Sequence, residues 1–436
     1  VALTGRTALL AALGSLITGL LLPSWAGIGL VCGLLLLAVL LDLLLAAPVR
    51  SLQLVRGGDR SVRLGEPASV ELTVANPSGR PLRARIRDAW APSAFAPGTE
   101  LTAARHQLLV PAGERRRVHT ALRPTRRGDH RSLRVTVRSL GPLGLAGRQG
   151  SHQAAWTLRA LPPFTSRKHL PSRLARLREL DGRTSLLTRG QGTEFDSLRE
   201  YLPGDDVRSI DWRASARRNT VAVRTWRPER DRHILIVLDT GRTSAGRVGD
   251  APRLDAALDS ALLLTALATR AGDRVDLLAH DLAQRVAVVG RTAGDVLPAF
   301  TQAMAMLEPA LVETDQRRLS TAALRLAPRR SLIVLLTGLD AGSAEDGLLP
   351  ALPLLTKRHE VIVAAVADPR LDELAAGRGS TQAVYAAAAA EQTRADRRAV
   401  ADRLTHLGAT VLDAPPATLP PALADTYLAL KAAGRL

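Results

Sequence analysis

His233-Ile234-Leu235-Ile236-Val237-Leu238-Asp239 is the stretch whose reading decides the fold of the larger part of the chain. Its apolar run from Ile234 to Leu238 is unbroken, as a strand buried on both faces of a parallel sheet requires. Leu332-Ile333-Val334-Leu335-Leu336 repeats the pattern, and Val361 to Val366 repeats it again. Helical periodicity fills about Pro252 to Arg270, 293–307 and 316–327. Further strands are expected at Arg274 to Ala279, Arg285 to Val289 and Thr410 to Leu412. The resulting order, βαββαβαβαβα, predicts a doubly wound α/β domain over 233–436, with helices on both faces of the sheet.

Upstream the period changes. Ala68-Ser69-Val70-Glu71-Leu72-Thr73-Val74-Ala75 alternates before the turn signal Asn76-Pro77-Ser78-Gly79, and Leu82 to Arg87 alternates after it. Arg117 to Leu122 and Leu133 to Arg138 add further strands, so residues 48–165 are expected to form a small β-sandwich of immunoglobulin-like architecture. Cys32, the single cysteine, rules out an intramolecular disulfide.

The first 47 residues read as a transmembrane helical hairpin. Thr7 to Leu22 and Ala26 to Ala47 are almost wholly apolar, with Pro23, Ser24 and Trp25 between them. Arg6 precedes the pair and Arg50, Arg56, Arg60 and Arg63 follow it. The positive-inside rule then predicts a two-pass protein of the bacterial cell membrane with its soluble domains in the cytoplasm. Asp42 interrupts the second run near its end, where the structural reading of an intramembrane acid outweighs the functional one. The net charge of +18 is concentrated next to this hairpin. Residues 48–232 hold 36 Lys+Arg against 17 Asp+Glu, whereas 233–436 hold 22 against 23. Attraction to anionic headgroups and an ordinary solvated surface account for that excess equally well.

The most distinctive stretch lies between the two soluble domains, in residues 166–232. It comprises Gly192, Glu194 and Phe195, then Leu198, Arg199, Glu200, Tyr201, Pro203, Gly204, Asp205 and Asp206, then Arg208, Ile210, Asp211, Trp212, Ser215, Ala216 and Arg217. This pattern closely resembles the signature of the bacterial family called domain of unknown function fifty-eight (DUF58). Arg127-Gly128 and Gly141-Pro142-Leu143-Gly144-Leu145 agree with the same family, and the resemblance runs over nearly the whole chain. Five of the signature's carboxylates lie among arginines. Charge-assisted pairing is therefore the simpler reading, an ion network that locks the segment onto the α/β domain with Phe195, Tyr201 and Trp212 as apolar anchors.

The resemblance implies that the α/β domain is von Willebrand factor type A-like. Members of that fold can hold a divalent cation above the C-terminal strand ends through Asp-x-Ser-x-Ser, a loop Thr and a later Asp. In this sequence Asp239 and Thr243 match the first element, Gly241 lacks the hydroxyl, Thr314 stands for the loop threonine, and Gly338 replaces the acid, the nearest being Asp340. Such a set is a degenerate site for which magnesium binding is expected to be weak, and Arg242 could take the cation's place as a partner-binding residue.

Phosphate-binding loops, nucleophile elbows, a usable cysteine and paired histidines at ligand spacing do not occur in the sequence. Nucleic-acid binding is disfavoured because the basic half offers few aromatics for stacking. The sequence therefore points to a membrane-anchored, non-enzymatic adaptor or scaffold. The family resemblance implies a MoxR-type AAA+ ATPase as its protein partner. The alternatives are an enzyme built on the 194–211 carboxylates, and an envelope or lipid-surface protein working through its basic half.

Overall fold

The computed structural model describes residues 1–187, 194–203, 205–218, 220–227 and 232–436. The chain divides into two compact units, Val1–Leu161 and Pro162–Leu436.

In the first unit, one sheet pairs Gln53–Gly58, Ala68–Ala75 and Arg115–Leu122. The other is built around Gly128–Leu140, which pairs with Leu82–Trp90 on one side and Ala146–Gln153 on the other. Strand alternation sends Val70, Leu72 and Val74 from the first sheet, and Ile86, Val135 and Val137 from the second, into the buried interior. The two strands flanking the Asn76 turn go to opposite sheets. The Asn76 side chain fixes that crossing by donating to the carbonyls of Arg80 at 2.7 Å and Val110 at 3.2 Å. Arg56 and Asp88 form a buried pair in the same core, with Trp90 Nε1 and Thr120 Oγ1 also donating to Asp88.

The N-terminal apolar runs form helices Gly5–Leu21 and Trp25–Leu45, the second capped by Ser24 accepting from the Gly27 amide. Here the structure corrects the expected transmembrane hairpin and two-pass placement. Among the described residues, one helix, starting at Trp25, is long and apolar enough to cross a membrane. Its 21 residues rise about 32 Å, enough for a hydrocarbon core of about 30 Å. The 17 residues of Gly5–Leu21 rise only about 26 Å. The cytoplasmic placement of both ends rested on a second span and falls with it.

Asp42 is fully buried at the end of the longer helix. Its Oδ1 accepts the Leu143 amide at 2.8 Å, and its Oδ2 accepts the amides of Leu145 and Ala146 at 2.7 and 2.8 Å. A Cβ at Gly141 would lie 2.1 Å from Asp42 Oδ1, so glycine is required for the loop to close on the carboxylate. Thr4 and Thr7 donate to the carbonyls of Gly144 and Leu145 from the other side. Asp42 thus has a structural role, tying the candidate span to the sandwich.

The second unit contains a six-stranded sheet. We number its strands β1 (His233–Asp239), β2 (Arg274–His280), β3 (Gln284–Val288), β4 (Leu332–Leu336), β5 (Glu360–Val366) and β6 (Thr410–Ala414). Their order is β3-β2-β1-β4-β5-β6, all parallel except β3. Ile234, Ile236 and Leu238 pack into one apolar layer with helices Arg253–Arg270 and Leu419–Ala432, while Leu235 and Val237 pack into the other. Helix Leu170–Leu187 contributes Leu177 to the first layer. It is preceded by Ser166, whose amide and hydroxyl both bond to Asp259.

Candidate functional site

The central strands β1 and β4 run side by side, and the loops after them meet the Val312–Gln316 segment above their C-terminal ends. Asp239 closes β1 and is 1% exposed. Its Oδ1 accepts from the Gly241 amide at 2.8 Å and from Thr314 Oγ1. Its Oδ2 accepts from Thr337 Oγ1 at 2.5 Å and from Gln316 Nε2 at 3.3 Å. Burial is the larger effect on this carboxyl and pushes its pKa up, while these bonds pull it back. Ser244 Oγ donates to the Asp239 carbonyl at 2.6 Å and holds the turn.

Around Asp239 lies a cavity of about 10 Å³, enough for one water-sized group. Arg242, Thr243, Glu313, Thr314, Gln316 and Thr337 are among its walls. Thr243 Oγ1 and Gln316 Oε1 are buried there without a hydrogen-bond partner among the described residues. At the rim, Arg242 Nε donates to Glu313 Oε1 at 2.6 Å, and Ser343 Oγ donates to Glu313 Oε2 at 2.8 Å. The hydroxyl and the guanidinium hold the Glu313 carboxyl below its ordinary range. Arg242 is among the residues lining this cavity, and its guanidinium is paired with Glu313.

These donors do not fit magnesium. Gly241 has no hydroxyl, and the position its Cβ would take is already filled, 2.1 Å from Thr314 Oγ1 and 2.9 Å from the Val312 carbonyl. Gly338 supplies no acid, and Asp340 turns to Arg253 at 3.3 Å. One carboxylate remains, with both oxygens occupied by donors, whereas magnesium favours several free, hard oxygens in octahedral array. Among the described residues no group of three or more His, Cys, Asp or Glu is placed to hold a metal. The sequence identified Asp239, Thr243 and Thr314 as neighbours. It missed Gln316, Glu313 and Thr337 as working parts, because their roles depend on loop packing rather than spacing.

The signature segment is a hairpin of Glu194–Glu200 and Ala222–Arg227 enclosing helix Trp212–Arg218. Gly192 and Gly204 lie outside the described residues, and Glu194 and Phe195 are placed by their backbone alone. Arg199 pairs with Asp205, and Asp211 pairs with Arg224 at 2.7 Å while accepting the Ala214 amide at the helix start. The Asp205 carboxyl is held low first by Arg199, and the Asp211 carboxyl first by the Ala214 amide and then by Arg224. Asp206 accepts the Arg208 amide, Ile210 bridges Val223, and Ser215 Oγ accepts the Ala222 amide at 2.8 Å. Leu198 and Tyr201 are half-buried, whereas Glu200, Pro203, Ala216 and Arg217 are exposed. Among the described residues, the ion pairs of Asp205 and Asp211 stay inside the hairpin instead of reaching the large sheet. Trp212, expected as a buried anchor, is 70% exposed.

Residues 197–408 match the family described as Protein of unknown function DUF58. A DUF58-like domain occupies this part of the chain. The DUF58-like domain thus takes in most of the hairpin and the sheet through the helix before β6. Uncharacterized protein Rv1480 of Mycobacterium tuberculosis is 30% identical over 187 residues, covering 42% of this chain and 58% of its own length. Uncharacterized protein YeaD of Bacillus subtilis is 25% identical over 199 residues, covering 45% of this chain and 50% of its own length. The chain thus spans little more than half of these relatives. Among solved structures, the CARDB domain of PF1109 from Pyrococcus furiosus aligns at 16% identity over 25% of this chain and 93% of that one. Its TM-score of 0.19 supports no assignment.

Proposed function

We propose that this protein is a non-enzymatic adaptor, held in a membrane by the single Trp25 helix. Its DUF58-like, type A-like domain presents the loop face above Asp239 to a protein partner. The observation that carries this reading is the cavity rim. An unpartnered hydroxyl and amide oxygen line the same cavity as an exposed arginine whose carboxylate partner among the described residues is the equally exposed Glu313. A partner's carboxylate can replace Glu313 on Arg242 in a fork-to-fork pair and needs no metal to do so. The signature carboxylates favour the enzyme alternative less. Asp205 and Asp211 are both tied to arginine and lowered in pKa, the wrong direction for a general acid at neutral pH. The partner class implied by the family resemblance is a MoxR-type AAA+ ATPase.

Binding of the purified full chain to nucleotide-free MoxR-type ATPase from the same organism, read by interferometry, tests this. Affinity should be unchanged in excess chelator, about tenfold weaker for Arg242→Ala, and stronger for Glu313→Gln, which removes the internal competitor. Loss of binding on chelation would restore a metal-bridged mechanism. Absence of binding in every condition would remove the ATPase as partner.

A further inference from the structure

The signature lobe leaves a different surface open. Backbone bonds from Tyr201 N to Val221 O and from Asp211 N to Ala222 O bring three stretches of the lobe together. Leu202, Trp212 and Val221 therefore lie on or next to the same paired rungs, and they are 61%, 70% and 42% exposed, with Val207 at 62%. A two-stranded hairpin has little core of its own, and among the described residues Ala222 and Val223 are its buried apolar side chains. An exposed indole among exposed aliphatics is the opposite of what the hairpin's own stability would select.

Over 199–224 the lobe carries six arginines against four acids, an excess of two, and Glu200 and Asp206 are exposed beside them. Asp205 and Asp211 are neutralised by Arg199 and Arg224. Arg208, Arg213 and Arg217 are exposed, and no carboxylate is paired with them among the described residues. Arg213 and Arg217 are four residues apart on the helix that Trp212 opens, so they share a face.

We propose that the Trp212 lobe is a docking surface for an anionic lipid headgroup layer, going beyond the loop-face reading but resting on its membrane anchor. Indole rings settle at the boundary between headgroups and acyl chains, and each nearby arginine adds attraction to anionic lipid. A protein partner could use the same residue types. The lipid surface is favoured because this chain carries a helix able to span a bilayer. A weak patch tethered to a surface meets it at high effective concentration, so shape complementarity is not needed. Docking the lobe would fix how the adjoining sheet presents its loops.

The test uses the full chain reconstituted into vesicles of phosphatidylglycerol and phosphatidylcholine brominated on the acyl chains. Subtracting the emission of Trp212→Phe from that of the wild type isolates Trp212, and Trp25→Phe isolates the helix. The expected result is loss of about half of the Trp212 emission in anionic bilayers. Quenching should weaken with high salt, in neutral phosphatidylcholine, and in an Arg213→Glu, Arg217→Glu double variant with unchanged circular dichroism. Trp212 emission that bromine leaves untouched overturns the proposal and is the outcome for a lobe facing water or a protein. Trp25 separates the two ideas. Quenching of Trp25 alone keeps the anchor and rejects the docking. Quenching of Trp212 alone keeps the docking and rejects the anchor. If neither is quenched, both are rejected.

Discussion

Asp42→Ala should lower the stability of the first unit by about 3–5 kcal/mol, because it strips a buried anion from converging backbone donors. The amides of Leu143, Leu145 and Ala146 all end on this one carboxylate. A methyl in its place removes the acceptor that these three amides share. Asp42→Asn separates charge from shape. Its amide oxygen can still serve Leu145 and Ala146, but its amino group would oppose the Leu143 N–H, so a smaller loss is expected. Denaturant titration in detergent, followed through Trp90 in the sandwich core, reads both variants. Equal midpoints for wild type and Asp42→Ala would remove the structural role and leave this acid free for another.

The same residue shows where sequence reasoning stops. The structural role of Asp42 was expected from its place near the end of an apolar run. Its partners lie about a hundred positions downstream, in a loop where a Cβ at Gly141 would collide with the carboxylate. The number of spans failed for a more local reason. Thr7 to Leu22 counts as an apolar run in the sequence. That run is 16 residues and the helix that forms, Gly5–Leu21, has 17, short of the roughly 20 a span needs. The α/β order was legible because Ile234–Leu238 and Leu332–Leu336 are buried on both faces and carry nothing polar. The metal motif's departures were legible as missing groups at Gly241 and Gly338. What replaced them was not. Thr314 fills the space over Gly241, and Glu313, 71 residues from Arg242, takes its charge. Trp212 was misjudged because an aromatic in an ion-rich motif reads as an anchor until the small size of its lobe is seen.

Asp239→Ala is expected to cost about 3 kcal/mol, equally in chelator and in millimolar magnesium, since the loss is of buried hydrogen bonds and not of a bound ion. Four donors lose their acceptor at once: the Gly241 amide, the Thr314 and Thr337 hydroxyls and the Gln316 amide. Asp239→Asn keeps the shape and should recover most of that loss. The pH dependence gives the sharper contrast. Burial raises the folded-state pKa of Asp239, so the folded state holds this proton more tightly than the unfolded chain does. Its contribution is therefore fully present below the unfolded value and is lost as pH rises through the folded one. The wild type should lose stability relative to Asp239→Asn as pH climbs from the ordinary carboxylate range toward neutrality. Thermal melts of both proteins across that range, with and without magnesium, check each arm. A magnesium-dependent rise in wild-type melting temperature that Asp239→Asn abolishes would mean that the cation displaces these donors. The loop face would then be metal-bridged, and Arg242 would lose its assigned role.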